Sequence, residues 1–217
     1  MHARRTGATV RRFRSHRRAF RSLVGGDLHP WGKRRGALDT AASPRNLPRM
    51  SFDRAYWEQM WEKTLREHPD KVAARAPNAH LLAEVFSLPP GRALDAGCGH
   101  GAETLWLVAH GWQVTAVDFS ASALAHGRAR AQTMGPEIAE RISWVEGDLA
   151  VWTPPLAHFD LVLCLYVHVA GEVEELVRRM ATGVAPGNTL LMVEHRPIDP
   201  ATGKPTAAAK QRQVSVE

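Results

Sequence analysis

Residues 93–103 read ALDAGCGHGAE, and this stretch decides how the rest of the chain is interpreted. It begins with the mostly apolar run of a buried strand and continues with glycine at alternate positions, Gly97, Gly99 and Gly101. Glycine permits a tight turn and lets a ligand approach the backbone closely. The residues that follow predict a helix beginning near Ala102, whose free N–H groups favour a negatively charged group. A strand, a glycine loop and a helix in this order are typical of nucleotide-binding folds.

Two acidic residues narrow the class of ligand. Asp95 lies at the end of the first predicted strand, two residues before Gly97, where a carboxylate would repel a pyrophosphate and would favour a cation. Asp118 ends the next predicted strand, 17 residues after Gly101, where a carboxylate can accept hydrogen bonds from ribose hydroxyls. The predicted ligand therefore has a cation and a ribose but no pyrophosphate. S-adenosylmethionine fits this description.

Short apolar runs alternate with amphipathic segments through the rest of the chain from Asp53 onward. This alternation predicts an α/β protein with a doubly wound parallel sheet, in which ligands bind at the carboxyl ends of the strands. Strands are predicted at 92–96, 113–118, 142–146, 159–165 and 189–194, and helices at 54–67, 102–110, 120–134 and 172–184, with a further helix around Leu81 to Phe86.

The motifs resemble those of the class I S-adenosylmethionine-dependent methyltransferases over about residues 54–195. LDAGCGHG matches the glycine motif of that family, which is an acid followed by three glycines at alternate positions. The resemblance implies a Rossmann-like sheet with strand order 3-2-1-4-5 and S-adenosylmethionine as cofactor. The segment YWEQMW is, in addition, weakly similar to small-molecule methyltransferases related to the thiopurine and tellurite enzymes.

The resemblance also implies a cofactor site. The glycine motif would carry the methionine part of the cofactor, the acid after the second strand would hold the ribose, and the acid after the third strand would lie near the adenine amine. The end of the fourth strand would lie beside the sulfonium. The cofactor-binding residues implied in this way are Asp95, Gly97, Cys98, Gly99, Gly101, Asp118, Phe119, Asp148, Leu149, Cys164 and Leu165. No metal site is predicted.

The implied activity is transfer of a methyl group to a small-molecule oxygen, nitrogen or sulfur nucleophile. Tyr166 and His168 are the candidate catalytic residues, because they follow the fourth strand and a histidine there can act as a general base. The alternative for His168 is a polar loop residue.

Two other functions stay open: a cofactor-binding protein without catalysis, and a nucleic-acid methyltransferase that uses the basic N-terminal segment. The second is disfavoured because the rest of the chain is acidic.

Other candidates lie outside these motifs. Glu194, His195 and Arg196 end the fifth strand and are candidate substrate contacts. Trp57 and Trp61 share one face of a predicted helix, so we interpret them as packing residues, with a lid over the cofactor as the alternative.

Charge divides the chain into two regions. The whole chain has 28 Lys+Arg, 22 Asp+Glu and a net charge of +6. Residues 1–50 contain thirteen basic and two acidic residues, a net charge of +11, which leaves −5 for residues 51–217. The composition predicts a basic, disordered extension at 1–50. The resemblance implies that 51–217 form an S-adenosylmethionine-binding methyltransferase domain that is incomplete at its C-terminus. An extension upstream of the true start, contact with nucleic acid or anionic lipid, and organelle targeting all stay open for 1–50.

The end of the chain is short for this family. Members normally add a sixth and a seventh strand, and the proline-containing stretch 195–217 is too short for both. We therefore predict that strands 6 and 7 are missing, that the fifth strand has an uncovered edge, and that self-association through this edge is possible.

Two cysteines and no long apolar run predict a cytoplasmic protein without a membrane span.

Overall fold

The computed structural model describes residues 8–14, 53–169 and 173–195, and a six-stranded sheet forms its centre. The strands are β1 (Ala8–Arg14), β2 (Arg92–Ala96), β3 (Gln113–Asp118), β4 (Ile142–Glu146), β5 (Phe159–Leu165) and β6 (Val184–His195). The helices are α1 (Arg54–Glu67), α2 (Pro69–Ala73), α3 (Ala79–Val85), α4 (Ala102–Ala109), α5 (Ala121–Met134), α6 (Pro136–Ala139) and α7 (Val173–Thr182).

The sheet has the predicted topology in its parallel part. Its strand order is β1-β6-β5-β2-β3-β4, and β2 to β6 run parallel to one another. Numbered along the chain, these five parallel strands have the order 3-2-1-4-5, which confirms the Rossmann-like prediction. The bounds of β2, β3, β4 and β5 also agree with those predicted from the sequence.

Successive residues of the strands supply the cores on the two faces of the sheet. In β5, Leu161 and Leu163 belong to a core that includes residues of α3, α4 and α5. Val162 and Cys164 belong to a second core, which includes residues of α7. Alternation of this kind follows from the period of two along a strand, and burial on both faces explains why residues 161–165 form a continuous apolar run.

The prediction of an uncovered edge at the fifth strand is wrong. β1 pairs antiparallel with β6 from Ala8 opposite His195 to Arg14 opposite Thr189. Because β1 covers this edge, the uncovered edge no longer supports the prediction of self-association. Self-association itself stays a prediction. Disorder is also wrong for Ala8–Arg14. The average composition of 1–50 is rich in arginine and does not indicate a strand of seven residues. The strand that pairs with these residues lies at the other end of the described chain, so no neighbouring pattern indicates it either.

Smaller differences concern the bounds of β6 and α7 and two short helices that the sequence does not predict. β6 begins at Val184 rather than at 189, because Val184 pairs with Phe159 before a shift in register. α7 ends at Thr182, two residues earlier than predicted. The short helices α2 and α6 each begin at a proline and have too few residues to show helical periodicity.

Some predictions fall on parts of the chain outside the described residues. These parts are 1–7 and 15–50 of the basic extension, and 196–217, where strands 6 and 7 are predicted to be missing. Within the described ranges, none of the helices has both the length and the apolar composition that crossing a bilayer requires.

Candidate active site

A cavity of about 800 Å³ lies at the carboxyl ends of the parallel strands, beneath helix α1. Loops that follow neighbouring parallel strands meet at this edge of a sheet. Among the predicted cofactor-binding and catalytic residues, those that line the cavity are Asp95, Gly97, Cys98, Gly99, Asp118, Phe119, Asp148, Leu149, Leu165, Tyr166 and His168.

The glycine loop has a backbone that only glycine adopts easily. Gly97 and Gly99 have φ angles of +79° and +53°, in the left-handed region that L side chains avoid. A Cβ atom on Gly97 would lie 2.7 Å from Cγ2 of Val167, and one on Gly99 would lie 2.6 Å from Cζ2 of Trp61. The N–H groups of Gly97 and Cys98 both donate to the carbonyl of Val117, at 2.8 and 3.1 Å. The loop is therefore held against the end of β3.

Asp118 links the end of β3 to the glycine loop. Its Oδ2 accepts a hydrogen bond from the N–H of Gly99 at 2.8 Å, and its Oδ1 accepts one from the N–H of Ser120 at 2.9 Å. Burial raises the pKa of Asp118, while these N–H groups act in the opposite direction. Each carboxylate oxygen has a second lone pair. Asp118 can therefore accept two further hydrogen bonds from a ligand in the cavity.

Asp95 is the most buried acid of the site, with 2% of its surface exposed. Its Oδ2 accepts a hydrogen bond from the hydroxyl of Thr104 at 2.6 Å. Burial, and then the negative charge of Glu103, raise the pKa of Asp95 to about 7. A cation in the cavity would favour the ionised form of this carboxyl group.

The loop after β4 supplies a third acid. Asp148 lines the cavity, and its Oδ1 accepts a hydrogen bond from the N–H of Ala150 at 2.8 Å. The turn that this bond closes directs Leu149, which is buried, to the cavity wall. Phe119 adds an aromatic surface to the same region. This part of the cavity suits a flat group with a polar edge.

Two of the implied cofactor-binding residues do not line the cavity. Cys164 lies in the second core with Met192 and residues of α7, and burial raises the pKa of its thiol to about 12. Alternation along β5 explains this, since Cys164 points to the α7 face of the sheet. A Cβ atom on Gly101 would lie 2.6 Å from Trp144. Neither Cys164 nor Gly101 is among the described residues that line the cavity.

Four rings lie together at the end of the cavity near β5 and β6. We call Trp57, Tyr166, His168 and His195 the ring cluster. The rings of Trp57 and His168 are nearly parallel, with centroids 5.5 Å apart, and those of His168 and His195 are nearly parallel at 5.8 Å. The rings of Tyr166 and His195 are 4.3 Å apart. The cluster brings both candidate catalytic residues together with one of the three candidates from the fifth strand.

The structure changes the interpretation of α1. Trp57 and Trp61 both line the cavity, and Trp61 packs against Gly99 and against the ring of His100 at 5.2 Å. Helical spacing identifies an apolar face but does not say whether a core or a ligand site lies opposite. The lid alternative therefore agrees better with the structure than plain packing does. Arg196, the third candidate at the end of the fifth strand, lies outside the described residues.

His100 is a buried part of the cavity wall that sequence analysis does not single out. Its exposed fraction is 3%, and its ring lies 6.4 Å from that of His126. Burial, and then the positive charges of Arg75 and Arg130, lower the pKa of His100 to about 4. His100 is therefore neutral at pH 7 and packs beneath Trp61 without adding charge to the cavity.

Comparison with protein families identifies one domain in the chain. Residues 93–187 match the family model described as a methyltransferase domain. The matched stretch begins at β2 and ends within β6, so it contains the glycine loop, Asp118 and Asp148. The cavity residues contributed by α1 and by His195 lie outside it.

Individual proteins are similar to parts of the chain. A probable thiol methyltransferase 2 of Arabidopsis thaliana is 31% identical over 152 residues, covering 69% of this chain and 65% of that protein. Ribosomal RNA small subunit methyltransferase C of Alcanivorax borkumensis is 40% identical over 75 residues, covering 30% of this chain and 22% of that protein. The solved structure of YjhP from E. coli has 25% identity and a TM-score of 0.51, covering 62% of this chain and 55% of that one. The chain thus spans less than two thirds of the length of these relatives.

Proposed function

We propose that the chain is a class I S-adenosylmethionine-dependent methyltransferase, which binds S-adenosylmethionine and transfers the methyl group to a small-molecule nucleophile. The observation that carries this proposal is the convergence of Asp95, the glycine loop, Asp118 and Asp148 on the same cavity as Tyr166 and His168.

The residues of the cofactor half fit this cofactor. We use that name for Asp95, Gly97, Cys98, Gly99, Asp118, Phe119, Asp148 and Leu149. Asp118 would accept hydrogen bonds from the ribose hydroxyls through its two free lone pairs, and Asp95 would stabilise the positive charge of the methionine part. Asp148, Leu149 and Phe119 would hold the adenine. Gly97 and Gly99 let Val167 and Trp61 pack directly against the loop, since a Cβ atom on either glycine would clash with these side chains.

The acceptor half is the ring cluster together with Leu165 and Val167. When bound, the cofactor supplies a methyl group that is already activated by its sulfonium. The protein therefore needs mainly to align the acceptor atom and to exclude water. Rings stacked on the cavity wall limit where a small acceptor can lie. His168 would take the proton of a thiol, hydroxyl or amine, and Tyr166 would orient the acceptor.

Sulfur is the acceptor atom to test first. The relative that shares the largest part of this chain among those described above is named a thiol methyltransferase. A polarisable sulfur nucleophile also suits a wall of aromatic rings. Oxygen and nitrogen acceptors stay within the proposal, because a histidine base serves all three.

A cytoplasmic location is part of the proposal. Cys98 and Cys164 are both free and buried, and burial raises the pKa of both thiols. Two unpaired thiols suit a reducing compartment.

Calorimetry with S-adenosylhomocysteine tests cofactor binding, with NAD as the matched control ligand. At ~100 times its dissociation constant, S-adenosylhomocysteine should stabilise the protein by about 2.7 kcal/mol and raise Tm by about 5 to 10 °C. NAD should have no such effect. Stabilisation by NAD alone would refute the proposed cofactor.

Catalysis needs a separate measurement. S-adenosylhomocysteine release should be followed with thiocyanate, benzenethiol, phenol, a primary amine and a short RNA as acceptors. Turnover with a small molecule supports the proposal. Binding without turnover would indicate a non-catalytic cofactor-binding protein, and turnover with RNA alone would indicate a nucleic-acid enzyme.

A further inference from the structure

We propose that the N-terminal strand β1 is a working part of the acceptor half, because it holds the end of β6 and thereby makes His195 a positioning residue for His168 and Tyr166. The inference rests on the proposed function, since it assigns β1 a role in the same site. Its evidence is the register of β6 with its two neighbours and the ring contacts of His195.

β6 supports the ring cluster at two points. His195 is the last residue of β6, and its ring contacts those of Tyr166 and His168. The carbonyl of Val193 accepts a hydrogen bond from the N–H of Tyr166 at 2.8 Å. Tyr166 has a φ angle of +56°, a strained value for a residue with a side chain, so its backbone must be held by its surroundings. The position of both candidate catalytic residues therefore depends on the end of β6.

Only one neighbouring strand reaches the end of β6 in the described register. The pairing of β5 with β6 ends at Leu165 opposite Val193. The pairing of β1 with β6 continues for two more residues, with Thr9 opposite Glu194 and Ala8 opposite His195. The backbone that carries His195 is thus held in the sheet by β1.

β1 is itself held at a second point. It pairs with β6 along all seven of its residues, and Nη1 of Arg12 lies 3.2 Å from Oε2 of Glu84 on α3. β1 is therefore attached both to the sheet and to a helix of the first core, which suits a permanent support better than a passing contact.

The cofactor half does not depend on this support. Asp95 lies next to the last residue of β2 and Asp118 is the last residue of β3. The whole of β5 and β6 lies between these strands and β1 in the sheet. Loss of β1 should therefore reduce methyl transfer while leaving cofactor affinity nearly unchanged. A general loss of stability would not produce this split.

The first test replaces Val10 and Arg11 together by proline in the full chain. Adjacent residues of a strand direct their N–H groups to opposite sides, so the pair of prolines must remove a bond to β6. Val10→Ala/Arg11→Ala is the matched control, because it keeps both N–H groups. We expect the proline variant to bind S-adenosylhomocysteine within about threefold of the parent and to lose about tenfold or more in kcat with its best acceptor among thiocyanate, benzenethiol and phenol. Equal kcat in the proline and alanine variants would overturn the proposal.

The second test changes His195 and keeps β1. His195→Ala removes the ring, whereas His195→Phe keeps a ring that can stack on His168. If His195 acts by position, alanine should lower kcat about tenfold and phenylalanine should restore most of it, with the pH profile unchanged. Failure of phenylalanine to restore kcat would show that the imidazole itself takes part, which contradicts a positioning role.

Failure of the proposed function gives a different result. If the parent chain bound no S-adenosylhomocysteine, amide hydrogen exchange would still test whether β1 supports the ring cluster. Faster exchange at the N–H of Tyr166 in the proline variant, relative to the alanine control, would uphold the support of the ring cluster by β1. Unchanged exchange there would overturn it.

Discussion

The two halves of the cavity are built in different ways. In the cofactor half, each acid lies at or just after the end of its own parallel strand. The glycine loop and Asp118 contact each other through a hydrogen bond between residues 19 positions apart. In the acceptor half, the rings come from α1, from the loop after β5 and from the end of β6, and β6 relies on a strand from the start of the chain. The first half is local in sequence and the second is not.

This difference explains why the family match contains all of the cofactor half and only part of the acceptor half. A strand, a turn and a helix N-terminus fix the geometry of the cofactor half almost by themselves. The methyltransferase-domain match at 93–187 contains the whole cofactor half, whereas it leaves out Trp57 and His195 of the acceptor half. The acceptor half requires contacts between distant segments, whose cost in chain entropy is repaid only when the domain is complete.

The largest expected effect tests the local half. Asp118→Asn removes the negative charge and turns one oxygen acceptor into an amide donor, which would face the N–H of Gly99 or Ser120. We expect S-adenosylhomocysteine to bind about 100-fold more weakly, which corresponds to about 2.7 kcal/mol, as calorimetry would measure.

Asp148→Asn is the matched control for that variant. Asp148 is exposed, and asparagine keeps the oxygen that accepts from Ala150. Its effect on affinity should be about fivefold or less. Similar losses in both variants would contradict a special role for Asp118, and a melting curve of each free protein would exclude unfolding as the cause.

Sequence reasoning succeeds where neighbours along the chain decide the structure. The bounds of β2 to β5, the glycine loop and the cavity positions of Asp95, Asp118 and Asp148 follow from local patterns. The resemblance implies a cofactor contact for Cys164, but its side chain lies in the second core, because side chains at the end of β5 alternate between the two faces of the sheet. β1 could not be found in this way, because a strand that pairs only with the far end of the chain has no local partner to reveal it.

The second prediction removes the non-local strand altogether. A chain that begins at Met50 lacks β1 and exposes the edge of β6, where Leu190 to Val193 are buried in the full chain. Loss of the ladder hydrogen bonds, partly offset by the entropy of the freed segment, should lower the free energy of unfolding by about 2 kcal/mol. Open edges also favour association. Light scattering should detect oligomers of the shortened chain, and S-adenosylhomocysteine should still bind. An equally stable monomer would mean that β1 contributes little.

The third prediction concerns the charge of Asp95. Its pKa of about 7 in the free protein means that a proton must leave before the carboxylate can pair with a cationic ligand. Affinity for S-adenosylmethionine should therefore rise with pH, by about tenfold between pH 6 and pH 8, and level off above the pKa. Asp95→Asn carries no titrating group and should flatten this dependence, apart from the titration of the ligand itself. A steep rise that persists in the asparagine variant would assign the proton to another group.

The smallest expected effect separates the two attachments of β1. Arg12 and Glu84 form an ion pair whose side chains are 28% and 34% exposed, so solvent screens much of its energy. Arg12→Gln should lower the free energy of unfolding by about 0.5 kcal/mol, a change in Tm of about 1 to 2 °C. A double-mutant cycle with Glu84→Gln should give a coupling energy of the same size, and the shortened chain should lose several times more. If the cycle gave a coupling as large as the loss on removing 1–49, side-chain contact with α3 rather than backbone pairing with β6 would hold β1 in place.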